Sequence, residues 1–462
     1  MSRVHIRAEI QLRGGEWVRL RGVRTGEDIQ IVRGRADEGA QVDPSKMTFQ
    51  LDNRDGRYSP GNPRSPLYRR IGKNTPIRLS IEVGETTYWR FAGEIAVWPV
   101  LWDLSGNDRW VNIRSHGILR RLGQGGDRVP DAMRRHVMAY SPVAYWPLTD
   151  GETGRQGSPV VGHQPMRTYA MREDGSGGTP IMYTAGWSEG ELEPWLDPVV
   201  ALPEEEQRGR LSATVRPSPS ATSWAVEIAQ RGVGLSDSLS VTLQGDTTSY
   251  TWAVGWARDV GDQMYISLTT ESDTDPPSVD MVEDDWSESS AFDGEVHLYR
   301  LEVEPDGSGG SSYRLFMDGS TIASGTWSVP ARPVRAVRYE WWVPDDDVSE
   351  HAELGHVSVW DTTSSSYPSA QSSYEALRGH LGEPAADRVV RLCAEAAIPL
   401  EVVGDPADSL PMGPQYPDAV LDLLYACQAV DGGVLYESRE VPGLAYRTLR
   451  SKYNRGASLE ED

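Results

Sequence analysis

The stretch that most constrains this chain runs from Asp43 to Val83. Met47, Phe49 and Leu51 alternate with Thr48, Gln50 and Asp52, which predicts a strand with one apolar face. The next segment, DNRDGRYSPGNPRSP, sets two Gly and three Pro among Asn, Asp and Ser residues. Such a composition ends regular structure. Ile77, Leu79 and Ile81 resume the alternation after Pro76. The expectation is strand, long decorated loop, strand, with the loop presenting backbone and guanidinium groups. Arg54, Arg57, Arg64, Arg69 and Arg70, with Tyr58 and Tyr68 among them, are candidate contacts to an acidic face of a neighbouring subunit. The competing reading is a solvated loop.

At 462 residues the chain is long enough for roughly two to four domains. Its charge is uneven. Residues 1–140 carry 24 Lys+Arg against 16 Asp+Glu, while the remainder carries 21 against 52. A basic head and an acidic remainder imply separately packed parts. The head lacks a basic helix or a Lys/Arg block, which argues against nucleic-acid binding. Only three of the 45 basic residues are Lys, which points to a GC-rich genome. Cys393 and Cys427 fall in apolar helical patterns without metal-ligand spacing, so both read as small buried hydrophobes. The first residues, MSRVHIRAEI, are charged and have no apolar run of the signal-peptide kind. No run approaches bilayer-spanning length.

Along the chain, VHIRAEIQL, EWVRLRGV and DIQIVRG read as short strands, with Gly14-Gly15 as the first hairpin turn. Two more strands, Tyr88–Trp98 and Arg109–Ser115, flank a turn at 105–108, and HGILRRL starts a short helix. DAMRRHVMA is a short amphipathic helix at a boundary. Beyond it the composition turns acidic and rich in Trp, Ser and Gly. Tyr313, Leu315 and Met317 alternate, and Asp318-Gly319 predicts a type I′ hairpin into a strand restarting at Ile322. Residues 155–210 and 230–290 give no clean pattern of elements. The tail differs again: Val389, Val390, Leu392, Cys393 and Ala396 lie at helical spacing behind Pro384. A short strand EVVGD follows. Then comes a helix over YPDAVLDLLYACQAVDGG with Asp418 in its first turn, and a hairpin around Val441-Pro442-Gly443.

The segment Met47 to Arg78 resembles the N-terminal barrel of minor tail proteins, tail-tip or baseplate-hub subunits, of long-tailed phages of actinobacteria (Streptomyces type). Residues 384–454 resemble the hub part of the same family. The segments AYWPLTDG (144–151), HLYRLEVEPDG (297–307), YRLFMDGSTIASGTW (313–327) and ELGHVSVWDTT (353–363) resemble a laminin-G or concanavalin-like lectin domain. The resemblances imply a mainly β chain with an antiparallel N-terminal barrel at 1–127, a helical linker at 128–142, a jelly-roll sandwich at 143–365, a linker helix at 366–383, and an α+β hub-like segment at 384–462. They also imply a homotrimer at a virion tail tip, made in a bacterial cytoplasm. Its partners would be the distal tail protein, the tape measure and further tip proteins, with no nucleic acid and no membrane span. Family members continue past the YRT and KYN residues into more β structure, so this is read as a short member or a chain lacking its C-terminal part.

Catalytic constellations are sparse. There is no GxSxG elbow, P-loop or HExxH. His351 and His356 are five apart, which suits neither one helix face nor one strand face. Glu271, Asp273 and Asp275 are followed by Pro276, where a paired-carboxylate glycosidase strand would need an acid, and such acids stand about 5 Å apart. The expectation is therefore no enzyme, no resident cofactor and no structural metal. Calcium on Asp345, Asp346 and Asp347 is the one alternative, through hard oxygen ligands. Trp341, Trp342 and Asp345 are candidate host-glycan contacts, although one of two adjacent strand Trp residues must face inward. With 16 Trp and only four Phe, Trp146, Trp187, Trp224, Trp252, Trp256, Trp327 and Trp360 read as core. Three functions compete: a structural tail-tip protein, a carbohydrate-binding adhesin, and a tail-borne polysaccharide-degrading enzyme.

Overall fold

A computed structural model of the chain describes residues 4–453 apart from 38–39, 153, 173–180, 184–186, 203–207, 217–219, 234–235, 244, 246–247, 259–260, 273–277 and 343–351. The chain divides into two compact units. The first joins the residues up to Val129 with Gly382–Gly413 and the residues from Asp418 onward; the second comprises Pro130–Leu381 with Pro414–Pro417.

In the first unit an eight-stranded sheet carries the alternation read from sequence. Asp43–Asp52 buries Met47, Phe49 and Leu51, and Thr75–Val83 buries Ile77 and Leu79. These join Ala8, Ile10, Phe91, Ile95, Val111 and Ile113 in one cluster. The sheet is antiparallel throughout, but it is not the closed barrel expected. Its strand path begins at Trp17–Arg19 and ends at Gln30–Gly34, and these two do not pair. The terminal strands are short, at three and five residues, and offer too little backbone to close the ring. The Gly14-Gly15 hairpin forms as read, with Gln11 paired to Trp17.

The C-terminal part of this unit contains helices Ala385–Glu395 and Val420–Asp431. A three-stranded sheet is built from Leu400–Val403, Leu444–Arg447 and Val434–Glu437. Asp418 lies just ahead of the second helix, and Asp422 occupies its first turn instead. Cys393 and Cys427 sit in the shared core with Ile118 and Leu119 of the N-terminal part. Burial pushes both thiols up to about 12.

Glu437 joins the two parts. Its buried carboxylate accepts the Leu119 N–H at 2.7 Å, the Ser45 N–H at 2.8 Å and the Ser45 hydroxyl. Gly117 is required beside it, because a Cβ there would lie 1.9 Å from a carboxylate oxygen. Burial raises the Glu437 pKa, against the lowering effect of these donors.

The second unit is a jelly-roll sandwich of a nine-stranded and an eight-stranded antiparallel sheet. Trp146, Trp187, Trp224, Trp252, Trp256, Trp327 and Trp341 are buried between the sheets with Val241, Ile266, Leu301 and Val359. Asp318 and Gly319 have φ of 53° and 80°, as a type I′ turn needs. The helices Ala132–Ala139 and Ala370–Leu377, expected as linkers, lie in this unit. They cover the outer side of the eight-stranded sheet through Met133, Val137, Ala376 and Leu377, packed on Ala225, Ala229 and Trp360. Apolar faces of this kind cannot be left in water, which is why the segments do not behave as tethers.

Beneath the second helix Arg300 and Glu227 form a buried ion pair at 2.6 Å. Arg300 also donates to the Pro368 carbonyl at 2.8 Å and to the Tyr367 and Ser373 hydroxyls at 2.9 Å each. His297 bridges Asp318 at 2.7 Å and Asp293 at 3.1 Å. Burial pulls its imidazole down, but the two carboxylates overcome that and leave its pKa raised.

Two outcomes follow from these contacts. Glu437→Ala strands two buried backbone N–H groups and should cost about 3 kcal/mol in urea unfolding of the full chain; an unchanged first transition would contradict the bridge. Since the folded His297 pKa is raised, its contribution is complete below the ordinary value of about 6.5 and is lost as pH rises through the folded value. The melting-temperature difference between the native chain and His297→Gln should therefore be larger at pH 5.5 than at pH 9, by direction alone.

Candidate functional site

The loop from Asn53 to Arg70 has no helix or strand, as its composition requires, yet it is highly constrained. Backbone bonds recur every three residues: Gly56 to Asn53, Ser59 to Gly56, Asn62 to Ser59, Ser65 to Asn62 and Tyr68 to Ser65. Side chains reinforce the series. Asn53 accepts the Tyr58 N–H at 2.8 Å and donates to Ser59 at 3.0 Å, while Asp52, Asp55 and Asn62 each accept the N–H two residues ahead. These are the local bonds that make Asx residues turn formers. Leu67 and Ile71 anchor the far end in the core.

The candidate interface residues separate on this frame. Tyr58 is buried and both donates to and accepts from the Arg21 backbone, so it holds the loop rather than offering a surface. Arg54 reaches Asp108 at 3.2 Å and Arg57 reaches Asp55 at 3.6 Å. Both line a polar cleft of about 360 Å³ with Arg21, Asp52 and Asp55. The hydrogen bond from Arg24 and those from Arg54 lower the Asp108 pKa. Arg70 pairs with Glu16 at 3.3 Å, and Arg69 lies 5.3 Å from the Tyr68 ring. Arg64 is exposed. Exposed ion pairs of this sort add little stability, so these side chains stay available to a partner carboxylate.

One exposed feature was not singled out in the sequence. Val97, Leu101, Trp102 and Leu104 are all exposed along a single hairpin; Trp102 is 67% exposed and Leu104 fully so. The turn at 105–108 was legible, but nothing in the alternation marked which residues ahead of it face solvent.

In the sandwich the two adjacent tryptophans part as strand geometry demands. Trp341 is 2% exposed and packs in the core, whereas Trp342 is 42% exposed. The glycan reading of Trp341 is thereby corrected: its ring fills the space over Gly209, where a Cβ would clash at 2.1 Å. Asp345, its neighbours Asp346 and Asp347, His351, and the Asp273 to Pro276 string lie outside the described residues. His356 is buried with its Nδ1 2.7 Å from the Tyr145 hydroxyl. Among the described residues no group of His, Cys, Asp or Glu is arranged to hold a metal ion. No helix of theirs is long and apolar enough to cross a membrane.

Trp342 shares the outer face of the nine-stranded sheet with a cross-strand row that sequence reading missed. Tyr169, Arg210, Glu340, Ser238, Gly255, Tyr265 and Asp285 are successive partners across six strand pairings. Arg210 stands 5.2 Å from the Tyr169 ring. Burial, then Glu283, Glu340 and Asp237, raise the Tyr265 pKa. The row combines aromatic faces, a guanidinium and carboxylates, groups able to stack on and hydrogen-bond a polar ligand.

No family model and no curated protein matches the sequence. Some solved structures are similar in part. The botulinum neurotoxin serotype G binding domain matches at 10% identity and a TM-score of 0.28, over 46% of this chain and 51% of its own. The CBM2 module of the evolved Dit of Lactobacillus casei BL23 phage J-1 matches at 13% and 0.25, over 33% and 68%. The kappa-carrageenase from Pseudoalteromonas carrageenovora, in complex with an oligotetrasaccharide of kappa-carrageenan, matches at 12% and 0.29, over 51% and 96%. The chain thus spans about half the length of the neurotoxin domain. Likeness at this level identifies no ligand and no activity for this chain, and its fold class rests on the strand topology above.

Proposed function

We propose that this chain is a structural, hub-like component of a phage tail tip that carries a jelly-roll module and acts by assembly rather than turnover. The observation that supports this most is the closure of the two outer parts of the sequence into one unit through Glu437, with the sandwich as an insertion in that unit's chain. Such an arrangement lets a docking body carry a guest domain without altering its own core. The locked loop with Arg54, Arg57, Arg64, Arg69 and Arg70 fits recognition of acidic neighbours, since rigid guanidinium groups lose little freedom on pairing. Exposed Trp102 and Leu104 fit the apolar anchor that assembly contacts need. The partners would be further tail proteins, and the copies would form a trimer. Light scattering of the purified chain should give three copies, and antibody labelling should find it at the tail end of particles. Trp102→Ser/Leu104→Ser should keep the melting temperature yet fail to enter particles. A persistent monomer absent from particles would overturn the reading.

A second role, adhesion to host-surface glycan, is favoured by exposed Trp342 beside the Tyr169 to Asp285 row. A glycan array probed with the full chain should give binding that Trp342→Ala weakens about tenfold, the loss of one stacking ring. Binding to no cell-wall or capsular sugar would leave the assembly role alone.

A further inference from the structure

We propose that a cavity in the first unit receives an extended, acidic segment of a partner polypeptide, added as a strand. The cavity measures about 330 Å³ and is lined by Arg33, Arg35 and Arg439 around a wall of Phe91 and Val434, with Asp43 and Glu437 also among the lining residues. This inference is independent of any placement at a tail tip.

Two features converge here. The first is backbone. Arg33 and Gly34 belong to the strand Gln30–Gly34, which ends the path of the eight-stranded sheet. Val434 and Glu437 belong to the strand Val434–Glu437, which ends the path of the three-stranded sheet. The cavity is therefore flanked by two sheet edges of one unit, and each edge has one side without a strand neighbour among the described residues. Sheet edges are templates for an incoming strand, whose main-chain bonds supply affinity while alternate side chains supply selectivity.

The second feature is charge. Among the described residues Arg33, Arg35 and Arg439 make no ion pair or side-chain hydrogen bond. Burial lowers the Arg33 pKa, as does the repulsion of Arg439 and Arg90, with Glu437 opposing them in part. The carboxylates of Asp43 and Glu437 offset part of this charge, but neither is ion-paired with these arginines, and the Glu437 oxygens are bonded to Ser45 and Leu119. Three guanidinium groups against two lining carboxylates leave the cavity net positive, and a partner carboxylate relieves the remaining repulsion while gaining charge-assisted bonds. The apolar wall asks for a hydrophobic residue next to the acid. An added strand turns successive side chains to opposite faces at about 3.3 Å per residue. A sequence alternating acidic and branched apolar residues meets both demands, and a short free anion meets only one.

The test uses the full chain and a fluorescein-labelled ten-residue peptide alternating glutamate and valine, followed by anisotropy. Saturable binding is expected, with amide exchange slowed at residues 30–34 or 434–437. The double variant Arg33→Ser/Arg439→Ser should weaken binding about tenfold. Arg13→Ser/Arg19→Ser, which removes the same charge from exposed positions of the first hairpin, should not. A lysine–valine peptide should fail to bind. The proposal is overturned if the glutamate–valine peptide does not bind, if the double variant binds it equally well, or if free glutamate competes at matched carboxylate concentration, which would mark a small-anion site. It is also overturned if the double variant loses only self-association, which would make a second copy the occupant.

Discussion

The first unit depends on a carboxylate that would be expensive to bury alone. Glu437 is removed from water, and a buried acid left unpaired costs several kcal/mol. Its cost is met by donors lying 392 and 318 residues away in sequence. Closing so long a loop is less prohibitive than it looks, because the entropy cost rises only logarithmically; a tenfold longer loop adds about 2 kcal/mol. The joint core, in which Ile118 and Leu119 meet Leu392, Leu424 and Leu435, exceeds that at about 1.5–3 kcal/mol for each buried aliphatic side chain. The carboxylate then supplies what apolar packing cannot, a single register between the parts.

The sandwich solves a different problem. Its inner faces are filled by aromatic rings. Trp252 stacks on Trp327 with centroids 4.7 Å apart, and Tyr299 meets Trp256 edge-on at 4.9 Å. One outer face is closed by helices and pinned by Arg300, whose guanidinium reaches the Glu227 carboxylate and the backbone that leads into the second helix. A buried ion pair of this kind adds little net stability but strongly penalises a misplaced partner. It therefore fixes where Ala370–Leu377 sits. The other outer face keeps its polar row and Trp342 open, so the two sheets differ in what they can offer a ligand.

Much of this was legible in the sequence, for reasons that differ by element. Period-2 alternation identified Asp43–Asp52 and Thr75–Val83, because one face of each strand is buried and the other is not. The Asp318-Gly319 turn was legible from local chemistry alone. The abundance of Trp over Phe correctly marked the core, and strand geometry predicted that one of Trp341 and Trp342 would face inward without saying which. The open sheet was not legible: closure depends on the lengths of its end strands, which alternation does not report. The packing of Ala132–Ala139 and Ala370–Leu377 on the sandwich was missed because short amphipathic helices beside Ser- and Gly-rich runs look like linkers. The row from Tyr169 to Asp285 is invisible in one dimension, since its members come from seven strands whose order in the sheet is not their order in the chain.

The same reasoning explains why the arginine groups of the first unit behave differently. In the loop, Arg54, Arg57 and Arg70 each have a nearby carboxylate, and their backbone is held by turns repeating every three residues. Their positions are set in the free chain, and exchanging one exposed carboxylate for another changes little energy, so in the proposed assembly they would confer orientation more than affinity. Arg33, Arg35 and Arg439 stand beside open sheet edges and, among the described residues, are not ion-paired, so an incoming acid would relieve repulsion and add main-chain bonds together. Affinity should therefore concentrate at the edges and selectivity of orientation at the loop, although both surfaces carry the same residue type.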